Sequence, residues 1–347
     1  MRILHAASFG NPNPGGFIPL VAALGAELRS RSHEVALVVP DVPGATWHAT
    51  VRDAGIELFV RGGVGEVVRT ARRWRPDVAH IHFFGWEPFV TAALWLRSTR
   101  IFWHAHSTSL RAGRLRRTVR STLKFRLVGT RVERFVSVSD AIAAEIARLG
   151  APPRRIVVIP NEVDTRRFRS PRAAERLAAR NALGIDGPAI LFFGRDPQLK
   201  GTDILCAALA QVPGMTVVTV ATPAASCTEL SRVARVVPVE RAEDVVPLMW
   251  ATDLLAMPSR GEGMSFAQRE AQLTGLPLVA SDLPALRENA LSGVPAHFFE
   301  PENPHALAAA LREALTTPRG IDAPPAPLAG PERWAARIAT LYEAANG

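Results

Sequence analysis

The stretch DLLAMPSRGEGMSFAQREAQLTG, Asp253 to Gly275, holds three pieces in a fixed order: a short apolar run, a glycine-bearing loop and an amphipathic segment. The run has the length and near-continuous apolarity of a strand buried on both faces of a parallel sheet. The segment from Met264 reads as a helix that closes at Gly275, a residue suited to a left-handed cap. Strand, loop and helix in this order form the repeating unit of an open α/β sheet, in which ligands bind beyond the carboxyl ends of the strands.

The unit recurs along the chain. RILHAAS, EVALVV, VAHIHFF, RIFWHAHS, RFVSVS and IVVIP read as strands of one half, and AILFFG, TVVTVA, ARVVPV, DLLAMPS and PLVAS as strands of the other. The fold class expected is therefore α/β, with two doubly wound Rossmann-like domains. A chain of 347 residues suits two cores of ordinary size. The polar, Arg-rich stretch from Asn161 breaks near Ser170 and Pro171, which places one domain at residues 1–170 and the second at 171–330. A Pro-rich segment then leads to a last helix, within 331–347.

Composition narrows the class. No apolar run approaches the roughly 18 residues needed to cross a bilayer, and Met1 leads into RILHAASFG without a signal-peptide pattern, so a cytoplasmic protein is expected. Cys206 and Cys227, the only two cysteines, offer neither a disulfide framework nor a metal cluster and read as structural. Residues 1–172 carry 27 Arg/Lys against 13 Asp/Glu, whereas residues 173–347 carry 14 against 19. The basic half shows no nucleic-acid-binding module and no basic–aromatic interleaving, so no nucleic-acid partner is expected.

Charged residues gather at two strand ends. In the opening stretch Glu262 lies in the loop and Glu270 one to two turns into the helix. A helix start reached through glycines suits a phosphate, and a nucleotide sugar would supply sugar hydroxyls for one carboxylate and ribose hydroxyls for the other. From spacing alone, a capping Glu262 and a solvated Glu270 account for the pair equally well. A second junction, AILFFGRDPQLKGTDIL, sets Arg195 and Lys200 beyond another strand, where two cations would stabilise charge on a leaving nucleoside diphosphate. Its spacing is not that of a P-loop.

GRDPQLKG followed by PSRGEGMSFAQREAQLTGLPLVASDLPALRE resembles the C-terminal signature of retaining nucleotide-sugar glycosyltransferases of the GT-B fold, specifically glycosyltransferase family four. The resemblance runs nearly end to end, through NPGGF, SHEVALVV, DVAHIHFF, WHAHS, SVSDAIAAEI and IVVIPNEVD to the last helix, ERWAARIATLYEAA. It implies two domains facing a central cleft, with that helix crossing back to the N-terminal domain. It also implies roles: Glu270 on the ribose, Glu262 on the donor sugar, Arg195 and Lys200 on the diphosphate. Backbone N–H groups of Met264 and Ser265, and of Gly15 and Gly16, would assist at the phosphate. His106 matches the histidine that contacts the donor sugar, and Asn161 a structural asparagine. His80, His82 and His104 read instead as packed and satisfied strand residues. GMSF, PNEVD and DLPALRE depart from the family pattern and point to an atypical sugar pocket; Glu288, on an expected helix start, is a weaker site candidate.

The activity expected is transfer of a sugar from a nucleoside diphosphate, UDP by family frequency, to an acceptor hydroxyl with retention. Cell-envelope glycolipid or polysaccharide assembly and natural-product glycosylation are both compatible. No cofactor beyond the nucleotide-sugar co-substrate and no metal are called for, since the chain lacks a DxD triplet. A catalytically silent nucleotide-sugar-binding module, a nucleotide-sugar epimerase on the same fold and a glycogen-type synthase are the rivals; Glu262 and His106 weigh against the first. Residues 111–134 carry nine Arg/Lys and one acid, with Leu115, Val119, Leu123 and Leu127 at helical spacing. That pattern suggests an anionic or membrane-presented acceptor and peripheral contact with a membrane inner face, or simply a solvated amphipathic helix.

Overall fold

A computed structural model of the chain describes residues 1–82, 85–107, 122–240, 244–317, 319 and 330–344. The chain divides into two compact units, residues 1–162 with 329–347 and residues 163–328. The division falls at Glu162 and Val163, ahead of the break near Ser170, because the Arg-rich stretch is tied to the second unit. Val163 and Phe168 join that unit's apolar core. The Trp250 indole N–H donates to the carbonyl of Arg169 at 2.9 Å.

The first unit is a seven-stranded parallel sheet of order β3-β2-β1-β4-β5-β6-β7. Its strands are β1 (Arg2–Ala7), β2 (Glu34–Pro40), β3 (Glu57–Arg61), β4 (Val78–His82), β5 (Arg100–Ala105), β6 (Arg134–Ser137) and β7 (Ile156–Val158). The second is a six-stranded parallel sheet, β10-β9-β8-β11-β12-β13. It contains β8 (Ala189–Phe193), β9 (Thr216–Val220), β10 (Arg235–Val239), β11 (Leu254–Met257), β12 (Leu278–Ser281) and β13 (Ala296–Phe299).

Both are doubly wound, with the order reversing between the first and fourth strand of each unit. Successive residues of β8 and β11 alternate between two apolar clusters, Leu191 and Leu255 in one, Ile190 and Leu254 in the other. A strand buried on both faces must read as apolar throughout, which is why these runs stand out in the sequence. Strands β3 and β13, at sheet edges, were not expected: each is largely half-buried and broken by polar residues, Glu57 and Arg61 in one and His297 in the other.

The last helix, Pro331–Glu343, belongs to the first unit and packs along the helix Phe17–Ser30. Trp334 and Tyr342, the chain's only tyrosine, are fully buried beneath it. The Arg100 guanidinium donates to the Tyr342 carbonyl at 2.6 Å, and Arg31 pairs with Glu343 at 2.7 Å. No helix among the described residues is long and apolar enough to cross a membrane.

Candidate active site

In the second unit the order reverses between the neighbours β8 and β11, so the loops leaving these strands flank the crevice where doubly wound sheets take ligands. Those loops are the two junctions singled out by sequence. After β8, Asp196 caps a short turn of helix, Pro197–Lys200, by accepting from the Leu199 N–H at 3.1 Å. Gly201 follows at φ +71°, and a Cβ there would lie 1.9 Å from the Pro258 carbonyl oxygen at the end of β11. Glycine is thus required twice over, for the left-handed backbone and for the close approach. The Arg260 N–H donates to the Leu199 carbonyl at 2.8 Å, and its guanidinium to Gln198 O at 2.7 Å and the Asp203 carboxylate at 2.7 and 2.9 Å. Two loops some 60 residues apart in sequence become one rigid ledge.

On that ledge the Lys200 Nζ lies 2.5 Å from Glu262 Oε1, which also accepts from the Ser259 hydroxyl at 2.8 Å. The Glu262 side chain is 9% exposed and that of Lys200 25%, so neither charge is well hydrated and each compensates the other. Glu262 does not cap the helix. The cap of Phe266–Leu273 is Ser265, whose Oγ accepts from the Gln268 N–H at 3.4 Å, with Met264 buried just ahead of it. The helix ends as expected, with Gly275 at φ +75°. Glu270 is not a freely solvated acid: it keeps some surface, but its carboxyl is deep among protein atoms, and lost hydration pushes its pKa up to about 7 against a smaller opposing pull from Arg167. Arg195 is exposed at the mouth of the same loop, and Gly194 before it is packed against Thr222.

Several supporting residues gave no signal in sequence. Asn289 donates to the Ser265 carbonyl at 3.0 Å and to Gln268 Oε1 at 3.2 Å, and accepts from Arg269 Nε at 2.6 Å. Gln268 in turn donates to the Leu286 carbonyl at 2.9 Å, and Gln272 accepts from the Leu291 N–H at 3.2 Å. These buried amides pin the start of the helix that carries Glu270. Glu288, expected on a helix start, is instead the exposed last residue of the helix Pro284–Glu288. Both cysteines are free, and burial pushes the Cys206 thiol up to about 11.

In the first unit Gly15 takes φ +52° and Gly16 caps the helix Phe17–Ser30 through its backbone, so the glycine pair turns the chain from β1 into the helix. His106, just beyond β5, is buried and held at a pKa of about 3 by loss of hydration, hence neutral. Its Nε2 lies 3.1 Å from His82 Nδ1, and the Phe17 ring stands edge-on to it at 5.6 Å. His80, His82 and His104 are packed, as expected, but not fully satisfied: both ring nitrogens of His104 and the Nε2 of His80 find no hydrogen-bond partner among the described residues. Asn161 is buried at the end of this unit. Of the basic 111–134 stretch, residues 111–121 lie outside the described residues; Lys124, described, pairs with Glu87 at 3.0 Å.

Two parallel sheets wound in this order, with paired charges drawn together where the second reverses, are the frame of a GT-B glycosyltransferase. The chain has that fold, and its resemblance to family four is supported: residues 14–167 match the model of Glycosyltransferase Family 4 and residues 187–317 that of Glycosyl transferases group 1. HepE from Anabaena, solved with UDP and glucose, superposes with a TM-score of 0.76 at 20% identity, covering 98% of this chain and 95% of that one. The sucrose-phosphate synthase of Thermosynechococcus elongatus gives 0.72 at 17% identity, covering 99% of each. D-inositol 3-phosphate glycosyltransferase from Mycobacterium tuberculosis is 35% identical over 161 residues, which span 42% of this chain but only 33% of that protein.

Proposed function

We propose that the protein transfers a sugar, with retention of anomeric configuration, from a UDP-linked donor to an acceptor hydroxyl. The observation that carries this reading is the ledge at the β8–β11 reversal, where Lys200 and Glu262 meet beside the Ser265-capped helix. In it Lys200 and Arg195 take the diphosphate, helped by the backbone at Met264 and Ser265, while Glu270 accepts from the ribose hydroxyls and Glu262 contacts the sugar near its reacting carbon. Within the first unit, the residues that the family resemblance assigns to the donor are Gly15 and Gly16, for the phosphate, and the neutral His106, for the sugar. The solved HepE complexes, with UDP and glucose and with UDP-glucose, support the donor class.

Chemically, the bond from the anomeric carbon to the diphosphate oxygen breaks and one to the acceptor oxygen forms on the same face. The electron pair of the broken bond stays on the diphosphate, which Lys200 and Arg195 neutralise. The leaving phosphate oxygen can take the acceptor's proton, so no dedicated base and no metal clamp are required. For the acceptor, the excess of base over acid in residues 1–172 favours an anionic molecule, free or displayed at a membrane inner face. The name of the mycobacterial relative, D-inositol 3-phosphate glycosyltransferase, agrees with that chemistry. Roles in cell-envelope assembly or natural-product tailoring both fit it.

The test is a panel of nucleotide sugars screened by thermal shift, followed by slow donor hydrolysis and NMR of the anomeric proton of the product. A ligand that binds the native state raises stability by mass action. UDP-sugars should shift the transition and be turned over with retention. Binding without turnover under any acceptor would leave a silent binding module, and an inverted product would refute retention.

A further inference from the structure

Five histidines meet in one buried layer of the first unit. His5 lies on β1, His80 and His82 on β4, and His104 on β5, with His106 just past its end. In the parallel register His5 is opposite His80, and His82 opposite His104. Residues two apart on a strand share a face, so His80 and His82 point the same way, as do His104 and His106. All five are at most 8% exposed, and the layer is closed by Phe17, Trp334 and Tyr342. Inside it His5 Nε2, His80 Nε2 and both nitrogens of His104 have no hydrogen-bond partner among the described residues. Each such buried polar atom forgoes its hydration with nothing in return. A sheet that needed only apolar filling here would carry valine or isoleucine.

We propose that His5, His80 and His82 form a binding site for a divalent transition-metal ion, zinc being the best match, that knits β1 to β4. One ring nitrogen of each lies within 4.8 Å of those of the other two, and His5 Nδ1 is 2.9 Å from His82 Nε2. Tetrahedral zinc, with bonds of about 2.0–2.1 Å to imidazole nitrogen, separates its ligands by about 3.3 Å, so the nearest pair must open by only a few tenths of an ångström. The opposite ring nitrogens of His80 and His82 are already held. His80 Nδ1 meets the Tyr342 hydroxyl and His82 Nδ1 meets His106 Nε2, the kind of outer contact that fixes the tautomer and orientation of a ligating imidazole. With the ion bound, each neutral ring carries its single proton on the outer nitrogen, Nδ1 for His80 and His82 and Nε2 for His5, and turns a lone pair inward, the His5–His82 hydrogen bond giving way to two metal bonds.

An all-imidazole set with no thiolate and no carboxylate suits zinc, copper or nickel and disfavours magnesium or calcium. Burial holds these rings far below their usual pKa, so they are unprotonated, as ligands must be. Three neutral ligands leave the fourth position for a hydroxide or other anion, which offsets the buried charge. The alternative triad of His82, His104 and His106 would consume the histidine that the proposed reaction places on the sugar.

The experiment uses the full chain without a histidine tag, stripped with chelator, exchanged against Zn²⁺ or Co²⁺ and passed through gel filtration. Elemental analysis should find one ion per chain, and the Co²⁺ form should show the intense visible bands of a four-coordinate ion. His5→Phe and His82→Phe should each weaken retention at least a hundredfold, while His104→Phe, in the same layer but outside the triad, keeps one ion. A wild-type chain that retains no ion above buffer, or bands of a six-coordinate hydrated ion, overturns the proposal. Equal loss in folded His104→Phe overturns it too. Should the phenylalanine variants fail to fold, the stoichiometry and Co²⁺ spectrum of the wild type decide alone. None of these readouts depends on glycosyl transfer.

Discussion

Replacing Gly201 by alanine tests whether the ledge is built as described. The new Cβ would stand 1.9 Å from the Pro258 oxygen, 2.9 Å from the Pro258 carbonyl carbon and 3.2 Å from Ile204 Cδ1. Carbon needs roughly 3.5 Å, so the loops must part by more than about 1 Å. A left-handed alanine costs about 1–2 kcal/mol, overpacking against backbone about 1–3 kcal/mol, and loss of the Arg260-to-Leu199 hydrogen bond about 0.5–1.5 kcal/mol. The sum is about 2.5–6.5 kcal/mol. Gly214→Ala is the control in the same unit: its φ is +82°, but nothing lies within 4 Å of the added carbon, so only the backbone cost of about 1–2 kcal/mol applies. Denaturant unfolding followed by hydrogen exchange at β8 and β11 reads the difference directly. Gly201→Ala should cost about 2 kcal/mol or more beyond the control and weaken nucleoside diphosphate binding, because Lys200 and Glu262 are carried apart. Equal losses in the two variants, or unchanged nucleotide affinity in a destabilised Gly201→Ala, would refute the coupling of the loops.

Four further outcomes are expected. Glu262→Ala should abolish most turnover while sparing nucleoside diphosphate affinity, whereas Glu270→Ala should weaken that affinity roughly ten- to a hundredfold, as loss of a charge-assisted hydrogen bond implies; calorimetry and steady-state rates separate the two. Glu270, with its native pKa raised to about 7 above an unfolded value near 4.3, contributes stability that is fully present below about pH 4.3 and lost as pH rises through 7, at most about 4 kcal/mol; uridine affinity should rise across the same step as the carboxylate forms, and Glu270→Gln should flatten both profiles. Lys200→Met leaves Glu262 enclosed and uncompensated and should cost about 2–4 kcal/mol in unfolding, most of it recovered when Glu262→Gln is added; a double variant no better than the single one would deny the pair. Turnover should not rise when Mg²⁺ or Mn²⁺ is added, and a manyfold stimulation would count against a cation-bound diphosphate.

Strands buried on both faces were legible because their apolarity has no gaps, and eleven of the thirteen were read from sequence. The two missed, β3 and β13, are edge strands with partial cover whose runs carry Glu57, Arg61 and His297, whereas the equally edge-placed β7 and β10 keep valine-rich runs, IVV and RVVPV, that still read as strands. The domain division was displaced for a different reason. Arginine is common throughout this chain, 39 residues, and an Arg-rich stretch therefore says little about exposure. Arg176 and Arg180 in fact meet the half-buried Asp253 at 2.5 and 3.5 Å, joining the helix Ala173–Ala182 to the start of β11.

At the candidate site the residue types were legible and their pairing was not. Sequence gives which side chains stand at strand ends; it does not give that Lys200 and Glu262 reach one another, because that depends on β8 and β11 being neighbours and on how closely Gly201 lets the loops approach. The histidine layer carries the same lesson with a sharper signal. His80 and His82, and again His104 and His106, are spaced by two, which puts each pair on one face of its strand whatever the fold. Whether the faces coincide is a matter of strand order, and the doubly wound order sets β4 between β1 and β5. With right-handed crossovers and that order, two H-x-H pairs and the histidine of β1 can be placed in a single layer before any side chain is seen. An imidazole can be buried cheaply once by hydrogen bonding. Five in contact, with several ring nitrogens unpartnered among the described residues, set three of them, His5, His80 and His82, where one ion can take a lone pair from each.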